Sequence, residues 1–227
     1  MNPIFNTIQE MVEAVCASAN VTAYAVVDID RVRRDIQNEC IGNDILSDEE
    51  EKLYNGCRIL KRKADWLSGR LAAKKAVATI LKYKSSHEVE ILRSKSGAPL
   101  VAGHNEISVS ISHSGSAAIS VAAPFRVGID LEVHEKRPES FIRAILNDRE
   151  QALIAHGKPD WALREITRLW TCKEAVAKVC LLGGAVNFKS IDCSNNPVSI
   201  DAMQVFHRYK SSESYAVTLA YQGCKDA

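Results

Sequence analysis

The spacing of apolar and polar positions changes several times along the chain, and each change predicts an element. Over residues 3–18, Ile4, Phe5, Ile8, Met11, Val12 and Val15 recur at three- and four-residue intervals, which predicts an amphipathic helix. Val21 to Asp30 is β-rich and predicts a strand. Ser47 followed by Asp48, Glu49 and Glu50 is a helix start, since a side-chain oxygen caps free amides and acids suit the positive end. Two helical stretches follow, one to about Lys63 and one from Ala64 to Tyr83. Short strands are predicted at 88–93, 106–112, 116–123 and 126–133, with a turn at Ser96-Gly97-Ala98-Pro99 between the first two. Helices are predicted again at 139–157 and 160–180, and strands at 188–193, 200–208 and 214–221.

The pattern repeats at an offset near 100 residues. Ala25-Val26-Val27-Asp28-Ile29-Asp30 resembles Val127-Gly128-Ile129-Asp130-Leu131-Glu132. Leu46-Ser47-Asp48-Glu49-Glu50 resembles Leu146-Asn147-Asp148-Arg149-Glu150, and Ala72-Ala73-Lys74-Lys75-Ala76-Val77-Ala78 resembles Thr171-Cys172-Lys173-Glu174-Ala175-Val176-Ala177. Three matches in one order, at offsets of 102, 100 and 99, predict an α+β pseudo-dimer of two similar α/β halves. The halves are expected at 21–123 and 124–227, with residues 1–20 an extra helix packed on the first.

Composition narrows the function classes. The 227 residues carry 29 Lys+Arg against 28 Asp+Glu, a net charge of +1 that argues against a dedicated nucleic-acid binder. No apolar run approaches the roughly 18 residues needed to cross a bilayer, and the start of the chain is wrong for a secretory signal. Seven scattered cysteines without C-x-x-C spacing fit neither a zinc site nor a disulfide framework, so reduced thiols in a cytoplasm are expected.

The two halves differ where chemistry could sit. Asp130 and Glu132 share one strand face, and the helical Glu174 has Lys75 as its first-half counterpart. Oxygen-only ligands favour Mg²⁺ or Mn²⁺ over zinc; the alternative is a strand end with solvated acids. Gly128, without a side chain, would let a ligand approach the backbone. Trp170, Glu174 and Lys178, four apart, lie along one helix face; an i,i+4 surface pair is the alternative for the last two. Ser108, Ser110, Ser112 and Ser114 alternate along a predicted strand around His113, without the G-x-S-x-G elbow of a serine hydrolase. A strand-end Ser-His that binds an anionic ligand is the reading, against a turn histidine. Arg58, Lys61, Arg62, Lys63, Arg70, Lys74 and Lys75 place seven positive charges within 18 residues. A solvated face competes there with a phosphate clamp by Arg70 and Lys74.

These residues converge on a family. Val127–Glu132 and Trp170-Thr171-Cys172-Lys173-Glu174-Ala175-Val176-Ala177-Lys178 resemble the two signature motifs of Sfp-type 4′-phosphopantetheinyl transferases. Ile111-Ser112-His113-Ser114-Gly115 resembles the family's strand-end motif, and Gly69-Arg70-Leu71-Ala72-Ala73-Lys74 its first-half helix. The resemblance covers residues 21–222 and implies a pseudo-dimer binding coenzyme A between its halves. It implies Mg²⁺-dependent transfer of phosphopantetheine from coenzyme A to a serine of an apo carrier protein, releasing 3′,5′-ADP. The protein would be a cytoplasmic monomer with internal pseudo-twofold symmetry and no nucleic-acid or membrane partner.

By the same resemblance, Asp130, Glu132 and Glu174 would hold the metal and Lys178 would stabilise the phosphate oxygens. Ser112 and His113 would contact the nucleotide phosphates, with Arg70, Lys74 and Arg93 as further anion-binding candidates. The base for the carrier serine is either Glu174 or a water on the metal. The sequence departs from the family at Ala98, where a lysine is usual, and at Leu181, where a glycine is common. A metal-dependent phosphohydrolase and a non-catalytic carrier-binding module are the alternative functions.

Overall fold

The computed structural model describes residues 3–42, 45–180 and 186–223. The expected Leu181 departure lies outside them. Helix α1 (Pro3–Ala17) leads into β1 (Ala23–Asp28), α2 (Ile29–Gln37), α3 (Asp48–Asn55) and the long α4 (Leu60–Leu81). A small hairpin, β2 (Ile91–Arg93) and β3 (Pro99–Val101), precedes β4 (Ser108–Ser114) and β5 (Ala117–Ala123). The second half runs β6 (Val127–Val133), α5 (Glu139–Ile145), α6 (Asp148–Ala155) and α7 (Pro159–Val179). It ends with β7 (Val198–Ile200), β8 (Met203–Ser211) and β9 (Tyr215–Gln222).

The two main sheets are antiparallel and share a topology: β1-β5-β4 in the first half, β6-β9-β8 with β7 added in the second. Helix α4 packs on β1 and β5, and α7 packs on β6 and β9. Both faces of β5 are covered, so all seven of its residues, Ala-Ala-Ile-Ser-Val-Ala-Ala, are buried. Fully burying a side chain such as Ile119 is worth about 1.5–3 kcal/mol.

One buried device occurs in both halves. Ser47 and Glu50 form a capping box at the start of α3, as Asn147 and Glu150 do at α6. Each glutamate is fully buried and pairs with a buried lysine, Lys74 at 2.7 Å and Lys173 at 2.8 Å. Lys74 also donates to the Val89 carbonyl and Lys173 to those of Phe188 and Ile191. The glutamates in turn accept from Ile91 N and Cys193 N. The offset is again 99–100 residues, now as matching buried ion pairs that fix helix to following chain.

Several boundaries differ from the expectations, for local reasons. The expected strand to Asp30 stops at Asp28, whose carboxylate accepts from Arg31 N at 2.9 Å and caps α2. The expected helix 139–157 divides where Asn147 caps α6. A one-turn 3₁₀ helix, Phe188–Ser190, stands where a strand was expected over 188–193. Helix α1 does not pack on the first half alone. Ile8, Met11, Val12, Val15 and Cys16 form one core with Ile119 and Val121 of β5, Ile129 and Leu131 of β6, and Val217 and Leu219 of β9. It therefore covers the seam between the halves.

Candidate active site

The seam lies where β4 meets β6. These strands share no backbone ladder; serine hydroxyls bridge them. The Oγ atoms of Ser108, Ser110, Ser112 and Ser114 accept the backbone N–H groups of Val127, Ile129, Leu131 and Val133 at 3.2, 3.0, 3.2 and 3.1 Å. The alternation follows from strand period: every second residue of β4 faces β6. The two inner bonds, to Ile129 and Leu131, are buried, and leaving such an N–H unsatisfied costs about 1–3 kcal/mol.

On β6, Asp130 and Glu132 point toward α7. Gly128 permits the approach: a Cβ there would overlap the Ala175 carbonyl oxygen and lie 3.0 Å from both Lys178 Cβ and Val179 N. The glycine thus admits the helix backbone, where the sequence suggested a ligand. Trp170, Glu174 and Lys178 share the facing side of α7, as their spacing predicts. Lys178 Nζ donates to Asp130 Oδ1 at 2.8 Å and to the Ile129 carbonyl at 2.9 Å. Ser112 Oγ also donates to Asp130 Oδ1, at 2.8 Å. Asp130 Oδ2 is buried without a partner among the described residues.

Both oxygens of Glu132 are engaged. Trp170 Nε1 donates to Oε1 at 2.9 Å; Arg137 donates to Oε2 at 2.9 Å and Ser114 Oγ at 3.3 Å. Glu174 has no hydrogen bond to a described residue. Burial raises the Glu132 carboxyl above its ordinary range, helped by the Asp130 charge and opposed by Trp170, Arg137 and Ser114. Burial likewise raises Glu174, with Asp130 and Glu132 adding to the rise and Lys178 opposing it.

Three carboxylates therefore crowd one low-dielectric region, two of them reluctant to ionise together. Among the described residues, no three acidic, histidine or cysteine side chains stand close enough to hold a metal as placed. Lys178 pairs with Asp130 and Arg137 with Glu132. The oxygen-only donors and the orphaned Asp130 Oδ2 fit a hard divalent cation. Asp130 and Glu174 offer unengaged oxygens, and Glu132 Oε1, which accepts from Trp170, keeps a further lone pair for a cation.

The remaining expected contacts separate into two groups. His113 is exposed at the end of β4, without a partner among the described residues. Arg93 is exposed, its Nε donating to the Gly97 carbonyl at 3.2 Å. Arg70 and Lys74, by contrast, are turned inward. Lys74 is 1% exposed on Glu50, and Arg70 stacks over Trp66 at 4.7 Å, lies 3.7 Å from Glu50 and donates to the Ile91 carbonyl. Burial lowers the Arg70 pKa, and Glu50 counteracts it. Neither residue presents a phosphate clamp. The rest of the basic run disperses too, with Lys61 on Asp65 and Lys63 over Tyr54. Ser112, expected on a phosphate, spends its proton on Asp130.

Sequence reasoning missed Arg137, Tyr215 and the paired Glu50 and Glu150. Tyr215 Oη accepts the Ser116 N–H at 3.3 Å and anchors the β4–β5 turn beside His113. Gly115, at φ 59°, has no room for a side chain because that phenol oxygen and Val133 occupy the space.

A fold of two similar halves with an acidic site on β6 and α7 defines the class. Residues 126–220 match the family model of the 4′-phosphopantetheinyl transferase superfamily, and residues 49–123 that of the 4′-phosphopantetheinyl transferase N-terminal domain. Over 104 residues the chain is 34% identical to the holo-[acyl-carrier-protein] synthase of Geobacillus sp. (strain WCH70), covering 42% of this chain and 87% of that protein. Over 120 residues it is 28% identical to the 4′-phosphopantetheinyl transferase AcpT of Salmonella typhi, covering 52% of this chain and 58% of that one. A holo-(acyl-carrier-protein) synthase structure from Bacillus anthracis, in complex with CoA (3′,5′-ADP), aligns with TM-score 0.39 and 22% identity over 44% of this chain and 90% of that one. The chain belongs to the 4′-phosphopantetheinyl transferase superfamily and is an enzyme of that class.

Proposed function

We propose that the protein transfers the 4′-phosphopantetheine arm of coenzyme A to a serine hydroxyl of an apo acyl, peptidyl or polyketide carrier protein, with Mg²⁺ or Mn²⁺, releasing 3′,5′-ADP. The observation that carries this reading is the β6–α7 acid set, with Asp130 Oδ2 buried and without a partner among the described residues. Asp130, Glu132 and Glu174 would hold the cation, with Glu132 oriented by Trp170 and Arg137. When bound, the cation neutralises the pyrophosphate oxygens and the charge that develops on them during transfer.

The chain's own residues do the rest. The carrier serine oxygen bonds to the phosphorus bearing the pantetheine arm, and the bond from that phosphorus to the oxygen of 3′,5′-ADP breaks. The serine proton passes to Glu174, through a carboxylate oxygen that does not hold the cation; Glu174 is the one carboxylate of the three with no hydrogen bond to a described residue. Lys178 has three donors; two hold Asp130 and the Ile129 carbonyl, which leaves one for a phosphate oxygen. His113 and Arg93, both exposed, contact the nucleotide end.

The halves at 21–123 and 124–227 act as one monomeric body. The six described cysteines are free, and no described helix is long and apolar enough to cross a membrane. The test is incubation with coenzyme A, Mg²⁺ and a panel of apo carriers, followed by weighing the carriers. Modified carriers and free 3′,5′-ADP are expected. Coenzyme A cleaved with every carrier unmodified would make the protein a hydrolase.

A further inference from the structure

We infer that Ser112 is a positioning residue for the metal-binding carboxylate of Asp130, fixing which of its oxygens faces the cation. This rests on the metal reading above. A serine hydroxyl has one proton and two lone pairs. Ser112 accepts Leu131 N at 3.2 Å and donates to Asp130 Oδ1 at 2.8 Å, so its only proton is committed to the carboxylate.

Lys178 binds the same Oδ1 from the helix side. The carboxylate is therefore held from both halves of the site, through one oxygen. Oδ2 is left buried and without a partner among the described residues. An unsatisfied carboxylate oxygen in the interior costs free energy, and its persistence is explained if a cation completes it. Ser114 repeats the arrangement one step along, accepting Val133 N and donating to Glu132 Oε2 at 3.3 Å. The hydroxyl ladder thus does two jobs. It sets the register of β4 against β6, and at its far end it converts that register into carboxylate orientation.

Ser110 separates the two jobs. It is buried like Ser112, its Oγ accepts Ile129 N at 3.0 Å, and it touches no carboxylate. Ser110→Ala therefore removes a rung without releasing an acid, whereas Ser112→Ala does both.

The test is Mn²⁺ titration of the full chain, followed by electron paramagnetic resonance, with thermal unfolding in parallel. Loss of a partner that orients a metal ligand costs about 10–100-fold in metal affinity, so Ser112→Ala is expected to weaken Mn²⁺ by that amount. Ser110→Ala is expected to lower the Tm comparably and leave the Mn²⁺ Kd within about twofold, as its rung is independent of the acids. Ser112→Thr, which keeps the hydroxyl, is expected to restore most of the affinity. Should Ser112→Ala fail to fold, Ser112→Cys carries the same comparison, being a weak donor of similar shape. Equal Mn²⁺ affinities in wild type and Ser112→Ala, or equal losses in the two alanine variants, would overturn the role. So would a Ser112→Ala loss confined to metal-free coenzyme A binding, the mark of a direct phosphate contact. If the wild-type chain itself bound no Mn²⁺, with or without 3′,5′-ADP, the metal reading would fall first and take this role with it.

Discussion

Replacing Gly128 by alanine adds one methyl group at the closest approach of β6 and α7. The new Cβ would overlap the Ala175 carbonyl oxygen and stand 3.0 Å from Lys178 Cβ and Val179 N, the limit below which real Cβ contacts essentially never fall. Two of these three atoms are backbone, so no rotamer relieves the clash, and the C-terminal turn of α7 must retreat. Overpacking of this kind costs about 1–3 kcal/mol. In a chain of this size each kcal/mol lowers the Tm by about 2–4 °C, so a fall of roughly 2–12 °C is expected by calorimetry. The larger effect is expected in turnover. The retreating turn carries Lys178, whose bonds to Asp130 and Ile129 are 2.8 and 2.9 Å, and lies one turn beyond Glu174. A misplacement of about 1 Å at reacting groups can cost about 100-fold in rate. Carrier modification followed by mass spectrometry, on protein shown to be folded, should show that loss. Wild-type Tm and wild-type rate in Gly128→Ala would refute the claim that contact between β6 and α7 sets the site.

Lys173→Met strands a fully buried glutamate and should cost about 3–5 kcal/mol in urea unfolding, and Lys74→Met should cost less, since Arg70 stays 3.7 Å from Glu50; the Lys74 variant should bind coenzyme A with wild-type affinity in calorimetry. Asp130→Ala should abolish most transfer, whereas Asp28→Ala should cost about 0.5–2 kcal/mol of stability, as a lost helix cap, with transfer retained; equal losses of transfer would place the site in the wrong half. Removing a charge-assisted bond worth about 1.5–3 kcal/mol, His113→Ala should weaken coenzyme A more than 3′-dephospho-coenzyme A, and equal losses would make His113 a support of the turn. Glu132 and Glu174 have folded pKa values raised above 4.5, so the folded state holds their protons more tightly than the unfolded state does. Their contribution to the stability of metal-free protein is therefore greatest below about pH 4.5 and is lost as pH rises through the raised values. Urea midpoints against pH should show a shallower loss in Glu174→Gln than in wild type.

The sequence carried the site's frame better than its wiring. The β6 and α7 motifs were legible because period-2 and period-3.6 spacing fix which side chains share a face, and Asp130, Glu132, Trp170, Glu174 and Lys178 do converge. Helix α2 reads as strand at its start: Ile29, which with Val32 and Ile36 has helical spacing, directly continues the strand-like run from Val21. The cap at Asp28 decides where the strand stops, and an aspartate at a strand end carries no mark that distinguishes a cap from a ligand. Arg70 and Lys74 read as phosphate binders because composition cannot say which charges are buried. A signal was nevertheless present, since Glu50 with Lys74 and Glu150 with Lys173 recur together at offsets of 100 and 99. A charge pair kept in both halves, where only one half has the acid set, belongs to the scaffold. The alternating serines were similarly readable as one polar strand face, but which strand that face meets is set by tertiary packing.

Helix α1 has a consequence for how the chain comes to be folded. Its buried face is completed by Tyr215, Val217 and Leu219, about 200 residues downstream, so the contacts that close the seam are among the most non-local in the molecule. At about 5–20 residues per second, synthesis leaves Ile8, Met11, Val12 and Val15 waiting roughly 10–40 s for those partners. During that interval the apolar stripe of α1 rests against an incomplete surface, β1 first, then β5 and β6. Nascent protein should consequently depend on chaperones that shield such stripes. A circular permutant that places α1 directly after β9 should fold faster than the natural order of the chain, with the same final stability.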